Sequence, residues 1–248
     1  MRVQANLRLL LRLLTLAIGC AAFAWGISNS LRGASADFFR NIETNLLRFE
    51  VFSPDRANQM LADTPVQDVF DCDDHSQRAL LLLEVSLAEA ALRSGASAEY
   101  DQHIRSLETR TRRALGCSPR NSFAWLVAFS LQVQHGVLNE HAFDLLAMSY
   151  KTSPNETWVA ARRIMVAAPV ALAAPEQVQR AILAEFQNLV RHHFVEVPAR
   201  VYINAPAPLQ ALLRSRIDEL DPPSQRAFSD ALEKLALLNR EWVRPHAG

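Results

Sequence analysis

The sequence predicts an all-α protein, with an N-terminal transmembrane helix followed by an α-helical hairpin repeat domain. Three observations carry that expectation. Residues Leu13 to Leu31 form a mostly apolar run of 19 residues. Downstream, apolar residues recur at helical spacing in one segment after another, and each segment is closed by a capping residue, a glycine or a proline. Glycine is scarce, at 7 of 248 residues, and alternating β-branched runs are few, whereas a sheet-rich fold needs both turns and such runs.

Composition bounds the possibilities. Half of the chain is apolar, enough for one or two domains with a true core. The 26 basic residues balance the 26 acidic ones. A nucleic-acid binder shows a basic excess or stripe, so that class is excluded. Only Lys151 and Lys234 are lysines, a bias that a high-GC genome explains more simply than arginine chemistry does.

The apolar run sets the compartment. At about 1.5 Å per residue it spans roughly 28 Å, close to a hydrocarbon core. Arg2, Arg8 and Arg12 precede it and Arg32 comes directly after it. The charge bias keeps the N-terminus in the cytoplasm and exports the remainder of the chain. A cleaved signal peptide competes with the anchor, because Ala34-Ser35-Ala36 and Ala22-Phe23-Ala24 both have a small-x-small form. Ala17-Ile18-Gly19-Cys20 also resembles a lipobox, although the run stays apolar beyond Cys20. All three readings put the domain beyond the membrane, and the retained anchor is preferred. The expected organisation is an anchor over 1–36, short helices over 37–71, a periplasmic repeat domain over 72–240 and a tail over 241–248. The protein is expected in a bacterial inner membrane, crossing it once.

Phe38, Ile42, Leu46 and Phe49 give a short amphipathic helix over Asp37 to Phe49. Ser53-Pro54 opens another through Leu61, and Pro65 ends that section. The acidic Asp71, Asp73 and Asp74 suit the positive end of a helix from His75 to Arg93, broken by Ser94-Gly95. The next runs from Ser97 to Leu115, where Gly116 stops it and Pro119 prevents continuation. Ser118-Pro119 opens a helix carrying Trp125 and Phe129 that ends at Gly136, and Asn139 caps one through Tyr150. Ser153-Pro154-Asn155-Glu156 has the form of a capping box with proline at the first helical position. Pro169 and Pro175 mark a break, Glu176 to Phe194 is a further helix, and two more cover Pro208 to Leu220 and Pro222 to Asn239, the latter capped by Asp221.

Trp125 early in one helix, then Ala142, Leu146 and Ser149 in the next, then Pro154, resemble one unit of the tetratricopeptide repeat, and Trp158 comes 33 residues after Trp125. Phe129 and Gln132 depart from that family's preferences, and the turn near Gly136 holds one extra residue. The resemblance spans about residues 72 to 190 and implies stacked helical hairpins. The layout of short anchor, degenerate repeats and a Cys117-Ser118-Pro119 start is also similar to small membrane-anchored proteins that accompany envelope polysaccharide synthesis in proteobacteria.

Of three cysteines, Cys20 lies in the apolar run. Cys72 precedes one long helix and Cys117 comes after the next, so an antiparallel hairpin puts both at the same end. In an oxidising compartment such a pair forms a disulfide. No residue pattern obliges chemistry. His135 and His141 flank a turn near Asp144, but no further ligand stands at metal spacing. The Asp71, Asp73 and Asp74 group lacks the calcium-loop pattern and is read as helix capping. Arg112-Arg113 and Arg162-Arg163 could meet an acidic polymer, yet adjacent helical residues point about 100° apart, and each pair is read as one solvated and one salt-bridging arginine. His192-His193 fits a last helical turn, and Trp125 and Trp158 fit the core. No catalytic, cofactor-binding or metal residue is assigned. The expected function is non-enzymatic: a tethered scaffold that binds a partner envelope protein, with the inner membrane itself contacted through Leu13 to Leu31 and no nucleic acid. The rival is a carboxylate-dependent enzyme acting on cell-wall or exported polysaccharide.

Overall fold

A computed structural model describes residues 14–26, 54–63, 72–153 and 155–243. The predicted helix over Asp37 to Phe49, the site at 34–36, Pro65, Asp71, Pro154 and the last five residues lie outside the described residues. Those described are helices joined by short turns, with no strand among them. The chain divides into two compact units, 1–103 and 104–248.

Unit 1 holds α1 (14–26), α2 (Pro54–Asp63), α3 (Asp74–Ser94) and the first part of α4 (Ser97–Cys117). Every described side chain of α1 is exposed, Leu16, Phe23 and Trp25 by about two thirds or more. The expected 19-residue span is described here as 13 helical residues, with Leu13 and 27–31 outside the described residues. No helix among the described residues is long and apolar enough to cross a membrane. α2 packs on α3 and buries Ala57. Asp73 caps α3 as its acidic start requires, accepting from Ser76 N–H at 2.9 Å. Gly95 ends α3 with φ +75°, and its N–H and that of Ala96 reach back to the last turn. Gly116 does not stop α4, which continues through Cys117.

Unit 2 carries the rest of α4 and then α5 (Ser122–Gln134), α6 (Glu140–Thr152), α7 (Thr157–Ala167), a 3-10 segment (Ala168–Ala173), α8 (Glu176–Arg191), α9 (Glu196–Asn204), α10 (Ala207–Asp218) and α11 (Pro222–Val243). α5 and α6 pack closely as a helical pair, turning at Gly136 with φ +72°. Ala142, Leu146 and Ser149, the residues that carry the repeat resemblance, are fully buried in it. The fold is repeat-like in this sense. α8 packs against α6, α7, α9, α10 and α11. Its Phe186 meets Phe228 edge-on at 5.8 Å, and Phe228 meets Tyr202 at 5.7 Å. The two fully buried rings, Phe186 and Phe228, each contribute about 1.5–3 kcal/mol.

Several local expectations change. The capping box does not form. Ser153 instead closes α6 with φ −152°, and its carbonyl accepts from Arg163, so α7 starts only at Thr157. α5 starts at Asn121 rather than Ser118, because the Asn121 side chain accepts from Ala124 N–H at 3.0 Å. The break between Pro169 and Pro175 is a 3-10 turn. α8 ends at Arg191, three residues before Phe194. α9 stands where no helix was expected. Its Pro198 is the third helical residue, where an N–H has no intrahelical partner to lose. Trp125 and Trp158 are half-buried rather than core residues: Trp125 donates from Nε1 to Pro119 C=O at 2.8 Å, and Trp158 packs on Phe123 at 5.2 Å.

Candidate functional site

The stripe Val178, Ile182, Glu185 and Leu189 is the buried face of α8, and a carboxylate interrupts it. α7 has the complementary irregularity. Its Arg163 is 0% exposed, among Val159, Ala160, Ile164 and Ala167. A charge in such a place needs a counter-charge and full hydrogen bonding. Arg163 has both. Nε and Nη2 donate to Glu185 Oε1 at 2.9 and 2.5 Å. Nη1 donates to Ser149 C=O at 2.8 Å and to Ser149 Oγ at 3.1 Å, and Nη2 reaches Ser153 C=O at 3.4 Å. The guanidinium lies 4.2 Å from the centre of the Tyr150 ring, a cation–π contact. Tyr150 Oη donates to Glu185 Oε2 at 3.1 Å, so both carboxylate oxygens are engaged. Ser149 Oγ passes the network to α5 by donating to Ser122 C=O at 2.8 Å.

Burial governs the electrostatics. Removal from water pushes the Glu185 carboxyl above the ordinary glutamate value, against the opposing hydrogen bonds and charge of Arg163 and the Tyr150 hydroxyl. Burial, and then the neighbouring Glu185 charge, raises the Tyr150 phenol well above its usual value. Tyr150 therefore stays a hydrogen-bond donor at any physiological pH.

Above this network opens a cavity of about 800 Å³ between α6, α7 and α8. Tyr150, Glu185 and Ala160 form its inner part, and Asn155, Asn188, His192 and Phe194 line it from exposed positions. Among the described residues that line it, Glu185 is the single carboxylate and there is no lysine or arginine. The end of α8 shapes the rim. His193 takes the left-handed conformation with φ +63°. Its N–H bonds to Val190 C=O, and Phe194 N–H bonds to Leu189 C=O at 2.9 Å, a Schellman closure normally built on glycine. A non-glycine residue there costs about 1–2 kcal/mol, and the closure brings Leu189 and Phe194 to the same cavity.

The residues singled out from sequence fall elsewhere. Cys72 and Cys117 are each disulfide-bonded, and Cys20 is free and exposed. His135 Nε2 lies 3.4 Å from Glu108 Oε1 and His141 is exposed. Among the described residues no group of His, Cys, Asp and Glu is placed to hold a metal ion. Of the paired arginines, Arg163 is buried and ion-paired with Glu185, and Arg162 is half-buried rather than solvated. Sequence reasoning missed Tyr150, Glu185 and the whole cavity. In unit 1 it also missed Glu84, which is buried on α3 with Oε1 2.7 Å from His103 Nδ1.

No family model, curated protein or solved structure matches the chain.

Proposed function

We propose that the chain is a membrane-tethered periplasmic scaffold, with tetratricopeptide-like hairpins in unit 2 that hold a partner protein in an envelope process such as polysaccharide assembly or export. The observation that carries this reading is the open cavity of about 800 Å³ between α6, α7 and α8, a size suited to a ligand-sized group. Its one carboxylate is already bound by Arg163 and Tyr150. A glycosidase needs two carboxyl groups facing each other about 5–10 Å apart, and the described lining offers one. Binding therefore fits it better than acid–base chemistry. The tether is supported by α1, whose apolar side chains Leu14, Leu16, Ile18, Phe23 and Trp25 are all exposed. Tethering raises the effective concentration near membrane partners.

Co-purification of the full-length protein from native membranes tests the scaffold. A stoichiometric envelope protein is expected, and recovery of the chain alone at every cross-linker length would overturn it. Reporter fusions after residue 60 should be active only as exported reporters, and the protein should stay with membranes in high salt. Soluble protein beginning at Asp37 would remove the anchor and keep the compartment.

A further inference from the structure

We infer that the cavity between α6, α7 and α8 is the seat of one aromatic side chain, carried by an uncharged segment of the partner. This rests on the partner-binding reading of the same cavity.

Charge makes the first selection. Arg163 and Glu185 neutralise each other, and both Glu185 oxygens are engaged. A charged group entering the cavity would lose hydration and find no lysine, arginine or free carboxylate among the described lining residues. The occupant is neutral.

Wall chemistry makes the second. Ala181 and Ala184 stand one turn apart on α8, and Ala160 comes from α7. Methyl groups of this kind accept the face of a flat ring. They offer no hydrogen-bond partner, so a polar group pressed against them stays unsatisfied. An aromatic ring has none to satisfy, and it gains an aromatic neighbour in Phe194, which is 53% exposed. Aromatic anchors in well-packed pockets are the usual centres of protein interfaces.

The exposed residues make the third. Asn155, Asn188 and His192 carry donors and acceptors suited to the amide groups on either side of an inserted side chain. His192 and Phe194 flank His193, the only non-glycine residue with positive φ among the described residues. Backbone strain of this kind is kept where the surroundings require one fixed geometry. Here it fixes the two residues that border the cavity.

Binding of N-acetyl-tryptophanamide to the full-length protein in nanodiscs, monitored by saturation-transfer NMR, tests the inference. A dissociation constant on the order of 1 mM is expected for so small a probe. Ala184→Trp should weaken it at least tenfold by filling the cavity, and Arg180→Ala, outside the lining, should leave it within twofold. Residues 180 and 184 are both exposed on their helix, so neither change threatens the fold. N-acetyl-lysinamide and sucrose should bind at least tenfold more weakly than the aromatic probe. Equal or tighter binding of either, or no effect of Ala184→Trp, would overturn the inference. A partner that co-purifies equally with wild type and Ala184→Trp would sink this cavity as the anchor site while leaving the scaffold standing. Aromatic binding that Ala184→Trp abolishes, with no partner recovered from membranes, would support the cavity chemistry and sink the scaffold.

Discussion

Helix α8 carries two glutamate–arginine pairs on opposite sides. Glu176 and Arg180 face water, at 80% and 62% exposure, one helical turn apart. Glu185 faces inward at 7% exposure and meets Arg163 of another helix, which has none. The functional groups are the same, and the surroundings are not. In water the pair is screened and its side chains lose entropy when held together, so it contributes little. In the interior each charge is dependent on its partner, and the network that satisfies them ties α5, α6, α7 and α8 together. Burial, rather than the presence of an ion pair, decides which pair the structure depends on.

The largest effect that could break this comparison is Glu185→Ala. It leaves Arg163 buried and unpaired, and about 3–5 kcal/mol of stability should be lost in urea unfolding. The double variant Arg163→Met/Glu185→Leu removes both charges and should recover most of that loss. If the double variant were as unstable as the single one, the pair would be holding more than its own charges. Tyr150→Phe comes next. It keeps the ring beside Arg163 and strips Glu185 Oε2 of its donor, for an expected loss of about 1–3 kcal/mol.

A smaller effect is the pH dependence. The folded Glu185 value lies above the unfolded one, so the folded state holds the extra proton between the two. This contribution is fully present below the unfolded value and is lost as pH rises through the folded one. Asp221, at the start of α11, has the opposite sign. Its carboxyl is held below the usual value chiefly by the Ser224 hydroxyl, so its contribution is present above the unfolded value and lost as pH falls through the folded one. Unfolding curves from pH 2 to pH 7 should therefore separate the two, with the Asp221 component at the acid end and the Glu185 component above it. Glu185→Gln should remove a falling component of stability, and Asp221→Asn a rising one. The smallest effect is Arg180→Ala, expected within about 0.5 kcal/mol of wild type. A loss as large as that of Glu185→Ala would end the distinction between the two faces.

The periodic part of this molecule is legible in its sequence, and the particular part is not. Asp73, Asn139 and Asp221 cap helices where their positions imply, and Gly95 and Gly136 turn the chain. Local chemistry decides such sites, so local sequence shows them. The failures arise where a distant residue competes. Ser153 is a sound N-cap on paper, but Arg163, ten positions on, takes its carbonyl, and the start of α7 moves. The candidate site left a faint signal. Glu84, Arg163 and Glu185 each interrupt an apolar stripe, and all three are buried with a partner from another helix. A charge inside a stripe marks a buried polar contact, but nothing in the stripe names the partner. The cavity depends on Ala160, Ala181 and Ala184 coming together from two helices, which no spacing along the chain expresses.

Because α8 touches α6, α7, α9, α10 and α11, it cannot open without loosening all five contacts together. Local opening of α10 or α11 can proceed one layer at a time, but opening α8 exposes Ile182, Phe186 and Val190 together. The amide protons around those residues should thus exchange with solvent only through cooperative unfolding of unit 2, the slowest route available. The outer helices can give way locally while the wall that carries the cavity keeps its shape.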